Sequence, residues 1–313
     1  MQLKMNYAIE TQDLSKHYGD VKAVEHLSLR VAEGEIYAFL GLNGAGKTTT
    51  IRMLLGMIRP TTGHARVLQT RVRPGEHAPW AAVGYLVEIP HAYPELTVRE
   101  NLEVARRLHP GADLKAISQM IERLGLGVYA DRRAGTLSQG NAQRLGLAKA
   151  LLHQPRLIIL DEPSLGLDPA GIVEIRQLLL ELTRQQGVTV FMSSHILAEV
   201  SRLARRIGII HQGRLLQELN IDELERNRNR RLLLRVREVE LAQRALVTAG
   251  QAAKIFPDGA IELDNPAAVE RPDEINALLV MAGVAPTQLV VEEEELERYF
   301  LRLIGMQKDA QNE

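Results

Sequence analysis

The sequence has no cysteine and no long apolar run, and these two absences restrict what the chain can be. Without cysteine, disulfide bonds, thiolate zinc sites and a cysteine nucleophile are excluded. Apolar stretches such as Leu157–Leu160 and Leu278–Ala285 are far shorter than the ~20 residues that a membrane-spanning helix needs. Residues Met1–Asp13 lack the apolar segment of an export signal. We therefore expect neither an exported chain nor a membrane-spanning one.

Net charge is nearly absent as well. The formal net charge is -1, so no overall positive field draws the chain to nucleic acid, and we expect no nucleic-acid partner. Hydrophobic residues make up 45% and charged residues 25%, a balance that lets a chain bury a core. The length of 313 residues favours two domains.

Residues 1–219 have the pattern of an α/β domain. Apolar runs alternate there with helical patterns, which is typical of a mostly parallel sheet with helices on its faces. The runs are Glu35–Leu40, Ala82–Val87, Leu157–Leu160 and Val188–Met192. From about residue 90 to 153 the periodicity is helical only, and Thr97–Glu100 has the form of a capping box. We predict a helical subdomain inserted into the sheet domain.

Residues 220–313 predict a second, smaller α+β domain with an accessory or dimerisation role. The segment Asn220–Arg231 is polar and rich in arginine, which is typical of a linker. The arginines there are either solvated or in contact with anionic lipid headgroups. The following patterns predict the order β-α-β-β-α-β, which indicates a ferredoxin-like fold. Glu292–Ile304 is predicted as a final amphipathic helix, whose acidic start at Glu292–Glu295 faces water.

The segment Gly41–Thr48 reads G-L-N-G-A-G-K-T and lies between an apolar strand and a helical pattern. Its glycines let main-chain N–H groups turn inward around phosphate oxygens, and the following helix adds its positively polarised end. Lys47 is then placed to reach the β- and γ-phosphates, and Thr48 to offer its hydroxyl to Mg²⁺. This pattern predicts that the chain binds ATP or GTP.

The apolar strand Leu157–Leu160 ends in two acids, Asp161 and Glu162. Ligands bind at the carboxyl ends of strands in open α/β sheets, so both acids are expected at the nucleotide. Asp161 is suited to the Mg²⁺ shell, and Glu162 to polarising the water that attacks the γ-phosphate.

Leu137–Asn141, which reads L-S-Q-G-N and is followed by A-Q-R-L-G-L-A, resembles the signature of ABC ATPases. Further elements of that family occur in order: Tyr18 as the A-loop aromatic, Ser164–Asp168 as the D-loop, and His195 as the switch histidine. The resemblance covers about residues 6–218. It implies a P-loop ABC ATPase core, with a mostly parallel sheet, an antiparallel β part and the inserted helical subdomain.

The resemblance also implies the site. Tyr18 would stack on adenine, and His195 would contact the γ-phosphate with Lys47 and Glu162 as its catalytic partners. Ser138 and Gly140 would cap the nucleotide of a second ATPase subunit, expected to be another copy of the chain. The full predicted ATP-binding set is Tyr18, Gly41, Asn43, Gly44, Gly46, Lys47, Thr48, Thr49, Ser138 and Gly140, and the predicted metal ligands are Thr48, Glu88 and Asp161.

Function follows from the same resemblance. We expect an ATP-hydrolysing subunit that uses Mg²⁺ and lies peripherally on the cytoplasmic face of the inner or plasma membrane, bound to a separate permease. A non-transport ABC ATPase acting on ribosomes or DNA is the alternative. It is disfavoured because such proteins carry two cassettes in one chain or a long coiled coil, and no sustained heptads lie between Lys47 and Ser138.

Two departures from the family pattern refine the expectation. The signature has Gln139 and Asn141 where glycine and glutamine are usual, and Glu88 replaces the usual Q-loop glutamine. An ionised glutamate only accepts hydrogen bonds, so a metal contact survives at this position while donor contacts are lost. An acid at this position, followed by I-P-H-A-Y-P-E-L-T-V-R-E-N-L at 89–102, is similar to the sequences of ATPases of bacteriocin, lantibiotic and bacitracin-type exporters. Drift within a general exporter subfamily explains the acid equally well. We predict export of a peptide antibiotic, a drug or a lipid-like substrate.

Overall fold

The computed structural model describes residues 6–75, 79–88, 90–109 and 111–305. The chain divides into two compact units, Met1–Ile221 and Asp222–Glu313. The division lies two residues beyond the boundary predicted at 219, and the functional labels given to the two domains stay predictions. No helix in the described part of the chain is both long enough and apolar enough to span a bilayer.

The first unit is built around a sheet that has six strands within the described residues. The strands are β4 (Ile36–Leu40), β7 (Val83–Leu86), β8 (Leu157–Leu160), β9 (Thr189–Ser194), β10 (Arg206–His211) and β11 (Arg214–Asn220). Their order across the sheet is β11-β10-β4-β9-β8-β7. All neighbours are parallel except β11, which pairs antiparallel with β10 at the edge. Every residue of β4, β8 and β9 is buried, as their nearly continuous apolar sequences predict.

A smaller antiparallel sheet lies in the same unit and confirms the predicted antiparallel part. It consists of β1 (Tyr7–Tyr18), β2 (Val21–Leu27), β3 (Arg30–Ala32), β5 (Thr62–Val67) and β6 (Thr70–Arg71). The long strand β1 pairs with β2, β3 and β5. Its buried residues Ile9 and Leu14 join the same apolar cluster as Phe39 of β4 and Phe191 of β9, so both sheets share one core.

Helices connect the strands of the first unit. They are α1 (Lys47–Leu54), α2 (Val98–Arg107), α3 (Lys115–Arg123), α4 (Gln139–Leu151), α5 (Pro169–Gln186) and α6 (Leu197–Val200). Helices α2 to α4 lie between β7 and β8 in the chain. The predicted capping box forms at the start of α2, where Thr97 accepts from the N–H of Glu100 and Glu100 accepts from the N–H of Thr97.

Sheet order decides where the motifs meet. Strands β4, β9, β8 and β7 are consecutive parallel neighbours. The segments that follow them therefore leave the same edge of the sheet, the edge at which open α/β sheets bind ligands. Those segments carry the glycine-rich loop after β4, His195 after β9, Asp161 after β8 and Glu88 after β7.

The second unit follows the predicted β-α-β-β-α-β order, with two helices in place of the second one. Its elements are α7 (Ile221–Asn227), β12 (Arg230–Arg235), α8 (Val239–Thr248), β13 (Lys254–Ile255), β14 (Ala260–Leu263), α9 (Pro266–Glu270), α10 (Pro272–Met281), β15 (Gln288–Glu293) and α11 (Leu296–Leu303). The strands β12 and β13 that flank α8 are separated by β14, which pairs antiparallel with both, as in a split β-α-β unit. One apolar cluster, including Leu232, Leu246 and Leu279, forms the core.

Two predictions about charged segments of this unit are wrong. The predicted linker Asn220–Arg231 contains helix α7 and the start of β12, and Glu292 and Glu293 belong to β15, so the last helix begins only at Leu296. The reason is cross-strand pairing, since Arg231 faces Glu292 in the register of β12 and β15 and forms ion pairs with Glu292 and Glu262. Arg231 is therefore part of the second unit's sheet rather than of a linker.

Candidate functional site

The loop after β4 has a shape that only glycine permits at two positions. A Cβ atom on Gly41 would lie 2.6 Å from the carbonyl oxygen of Ile210, and one on Gly46 would lie 2.5 Å from that of Ala23. Gly46 also has a φ of 106°, in the region that side chains rarely adopt. The loop can therefore pack closely on β10 and on the β1–β2 hairpin while its main chain turns into helix α1.

Lys47 begins helix α1 and is buried. Its Nζ donates to the carbonyl oxygens of Gly41 at 2.6 Å and Leu42 at 3.2 Å, and it lies 3.3 Å from Glu162 Oε1. The side chain thus folds back over the loop that its own helix follows. Asn43 and Gly44 lie in the same loop, and Thr49 lies in the first turn of α1. The ammonium group and the positively polarised helix end together suit a polyphosphate.

Thr48 and Asp161 meet at the carboxyl edge of the sheet. The Thr48 hydroxyl donates to Asp161 Oδ2 at 2.7 Å, and the Ser193 hydroxyl donates to Asp161 Oδ1 at 2.5 Å. Asp161 is 3% exposed, and its two hydroxyl donors hold the carboxylate in one orientation. A hydroxyl and a carboxylate are hard oxygen ligands of the kind that Mg²⁺ takes in phosphate-binding sites. The pair therefore fits the predicted metal role.

Glu162 lies between two cationic or potentially cationic groups. Its Oε1 is 3.3 Å from Lys47 Nζ, and its Oε2 is 2.9 Å from His195 Nδ1. His195 follows β9 directly, so adjacent strands β8 and β9 bring the two side chains together. Glu162 is thus in contact with both of the other predicted catalytic residues.

Glu88, a predicted metal ligand, forms an ion pair within the chain. It has a φ of 56°, and its carboxylate forms an ion pair with Arg52 Nη2 at 2.6 Å. Arg52 lies four residues after Thr48 on α1, which is one helical turn along the same face. The carboxylate is paired with a cation in this structure, and its role as a metal ligand stays a prediction.

The remaining predicted ATP contacts are Tyr18, Ser138 and Gly140. Tyr18 ends β1, is 48% exposed and has Lys16 Nζ 4.8 Å from its ring centroid. Ser138 caps helix α4 by accepting from the N–H of Asn141. Gly140 lies against the main chain of the D-loop, where a Cβ would be 2.9 Å from the carbonyl oxygen of Gly166. Contacts of Tyr18, Ser138 and Gly140 with nucleotide stay predictions.

Sequence reasoning missed three residues that contact the predicted site residues: Ser193, Arg52 and Gln143. The Nε2 of Gln143 donates to the carbonyl oxygen of Glu162 at 3.2 Å. Ser193 had a usable signal, because it is a polar residue at the end of the apolar strand β9, next to the acids that end β8. Gln143 and Arg52 lie within helical patterns, where a polar residue normally indicates a solvated face. Only the fold reveals their partners.

Comparison with known proteins identifies the family. The family model for ABC transporters matches residues 24–165. The chain is also 41% identical over 308 residues to the bacitracin transport ATP-binding protein BcrA of Bacillus licheniformis, with 96% of this chain and 98% of that protein covered. The chain belongs to the ABC transporter family. The lantibiotic transport ATP-binding protein SrtF of Streptococcus pyogenes is 35% identical over 69% of this chain and 93% of that protein.

A solved structure agrees. The ATP-binding subunit of an ABC transporter superimposes with a TM-score of 0.65 and 30% identity, covering 70% of this chain and 92% of that one. The predicted fold and the predicted ATPase activity are confirmed: this ABC subunit binds and hydrolyses ATP. Relatives that carry bacitracin and lantibiotic transport in their names support the predicted exporter role and do not favour the alternative on ribosomes or DNA.

Proposed function

We propose that this ABC ATPase closes as a dimer on Mg·ATP and thereby powers export of a peptide antibiotic through a separate membrane permease. The observation that carries the proposal is the 41% identity to the bacitracin transport protein, which spans 96% of this chain and so includes most of the second unit. A match to the cassette alone would support only ATP-driven transport. Because the similarity to the bacitracin transport protein extends into the second unit, it supports a peptide antibiotic as the substrate.

The contacts of Glu162 support its role as the general base. Its carboxylate is held between Lys47 and His195, so it is oriented toward the place where Lys47 meets a γ-phosphate. Glu162 would polarise the attacking water, while Lys47 and His195 would stabilise the charge on the transferred phosphoryl group. Most of the rate enhancement in phosphoryl transfer comes from such positioning and charge stabilisation.

Thr48 and Asp161 would hold Mg²⁺ directly, and Glu88 would add a third oxygen ligand. A metal held by these residues would supply positive charge that offsets the negative charge of the phosphates. Ser193 then has a supporting role, because its hydroxyl fixes the orientation of the Asp161 carboxylate.

A second copy of the chain would complete each site. Ser138 is exposed at the N-terminus of the thirteen-residue helix α4, where the helix dipole and the free N–H groups favour a phosphate. Ser138 and Gly140 would cap the nucleotide held by Lys47 of the other copy, and Tyr18 would stack on its adenine. The permease would bind the dimer at the cytoplasmic face of the membrane, which makes the association peripheral.

Proteoliposomes that contain the chain with its permease would test this proposal. We expect bacitracin or a lantibiotic to stimulate ATP hydrolysis and to be moved across the bilayer, whereas a sugar of similar mass should do neither. The Glu162→Gln complex is the control for ATP-driven movement. If a small apolar drug or a lipid stimulates hydrolysis and the peptides do not, the peptide substrate is wrong while the ABC ATPase assignment stands.

A further inference from the structure

The main chain of Glu162 has an unusual conformation. Its φ is 49°, in the left-handed region that residues other than glycine adopt only when their surroundings hold them there. The carboxylate leaves the chain at this strained point, immediately after strand β8. Its direction therefore depends on whatever fixes the peptide groups on either side of Glu162.

Two buried side chains fix those peptide groups. The Ser193 hydroxyl accepts a hydrogen bond from the Glu162 N–H at 2.9 Å. On the other side, Gln143 Nε2 donates to the carbonyl oxygens of Glu162 and Pro163, both at 3.2 Å. Gln143 is 2% exposed and Ser193 is 0% exposed, so water competes little with these contacts.

The chemistry at this position calls for an amide. Both groups that Gln143 contacts are carbonyl oxygens, so the side chain must supply hydrogen-bond donors, and a carboxamide NH₂ has two. An ionised glutamate would place a third acceptor against two carbonyls. An apolar residue would remove the amide donor and leave the Glu162 carbonyl with only the Leu165 N–H, at 3.0 Å. A methionine side chain would fill the same space as Gln143 but would supply no hydrogen-bond donor.

Gln143 also connects two parts of the catalytic machinery. It lies on helix α4, five residues after Ser138, the predicted contact to the partner's nucleotide. Through its carboxamide, the helix that carries the signature is joined to the main chain of the residue predicted to activate water.

We propose that Gln143 is a positioning residue, which holds the peptide groups of Glu162 and Pro163 and so directs the Glu162 carboxylate between Lys47 and His195. It does not touch the reacting atoms. The inference rests on the proposed role of Glu162 as general base. It adds that helix α4 sets the orientation of Glu162 within its own subunit.

The test uses the full chain with Gln143→Met, which keeps the shape and removes the donors. ATP affinity, turnover per titrated active site and thermal stability are measured on the same samples. We expect turnover to fall on the order of tenfold, because small misplacements of a catalytic group cost this much or more. ATP affinity should stay within about twofold, since the phosphate loop is untouched. Unchanged turnover per titrated site, whatever the loss of stability, would overturn the proposal.

The Glu162→Gln background separates positioning from other effects. Gln143→Met should cause no further loss of the slow residual hydrolysis there, because the carboxylate that it orients is already gone. An equal loss in both backgrounds would mean that Gln143 acts through some other group. If Glu162→Gln alone retains full hydrolysis, the general-base role fails, and that result is distinct from a failure of Gln143.

Asn101 offers a matched control. It is 1% exposed, and its Nδ2 donates to the carbonyl oxygens of Tyr93, Leu96 and Thr97. Asn101→Leu should lower stability while leaving turnover per titrated site unchanged. Gln143→Asn is the second variant if the methionine chain does not fold. It retains one amide at shorter reach, and we expect a smaller fall in turnover with the same unchanged ATP affinity.

Discussion

The Thr48 hydroxyl donates a hydrogen bond of 2.7 Å to Asp161, although 113 residues separate the two in the sequence. The contact forms because β4 and β8 both pair with β9, so the start of α1 and the end of β8 meet at one edge of the sheet. A wide separation of these two residues would have excluded a shared metal-bound phosphate. Their contact instead makes the metal site open to direct test.

Replacing Thr48 by valine should weaken the magnesium dependence of ATP binding. The change removes a proposed metal ligand and leaves the side-chain shape nearly the same, so ATP should still bind through Lys47 and the loop. We expect the Mg²⁺ concentration at half-maximal ATP binding to rise on the order of tenfold or more, the size of effect seen when groups that support a metal site are removed. Titration calorimetry with and without Mg²⁺ would measure it.

Thr183→Val is the matched control for that substitution. Its hydroxyl oxygen is buried in helix α5 and has no hydrogen-bond partner among the described residues. The same chemical change should therefore leave the magnesium dependence unaltered. Equal magnesium curves for Thr48→Val and the unchanged chain would remove Thr48 from the metal site.

Replacing Glu162 by glutamine should abolish turnover while ATP binding persists. Glutamine cannot act as a general base, and general-base catalysis by itself raises the rate of such reactions roughly 10²- to 10⁴-fold. With ATP bound but not hydrolysed, the dimer should be trapped. Phosphate release and ATP-dependent dimerisation on gel filtration check both parts. Glu181→Gln, at a partly exposed ion pair with Arg123, should change neither.

Breaking the ion pair between Arg52 and Glu88 should change the coupling of ATP hydrolysis to transport rather than the stability of the chain. Both side chains are more than a third exposed, so breaking their ion pair should change the free energy of unfolding by less than about 1 kcal/mol. Glu88→Gln should leave nucleotide affinity similar while altering the ratio of transport to ATP hydrolysis. That ratio, measured in proteoliposomes for Glu88→Gln, Arg52→Gln and the double variant, shows whether the two residues act together. Ratios equal to that of the unchanged complex would deny the acid any special role.

Stability should fall in mild acid through His153. Burial, and then the neighbouring His109 ring stacked 3.8 Å away, lower the pKa of His153 from 6.5 to about 4. Between pH 6.5 and 4 the unfolded chain binds a proton at His153 and the folded chain does not, so stability decreases as pH falls. Denaturant unfolding across this range should show a shallower pH dependence for His153→Phe. Equal slopes for both chains would contradict the assignment.

Local motifs were readable from the sequence because their chemistry depends on neighbours along the chain. Gly41–Thr48 combines loop, helix start and lysine in eight residues, and the strand ending in Asp161 and Glu162 places two acids at one point. Parallel order then followed from the alternation of apolar strands and helices, and the antiparallel part followed from the family resemblance.

Charge was read less well, because ion pairs depend on partners far along the chain. The arginines near Arg231 looked like a solvated linker, yet Arg231 lies across the sheet from Glu292. The same pairing draws Glu292 and Glu293 into β15 and delays the last helix. The alternation of apolar and polar residues that indicates a strand is weak where both paired strands carry many charges. The sequence therefore favoured a linker at Asn220–Arg231 and a helix start at Glu292–Glu295.

The sequence alone determined which residues can hold a triphosphate, since that chemistry is contained in contiguous motifs. Only the tertiary structure decided how those residues are oriented. Gln143 and Ser193 contact Glu162 from a helix and a strand that are distant from each other in sequence. Arg52 of α1 forms an ion pair with Glu88, which follows β7. Such contacts arise from the packing of neighbouring elements, and one amino-acid sequence does not by itself specify which buried donor meets which acceptor.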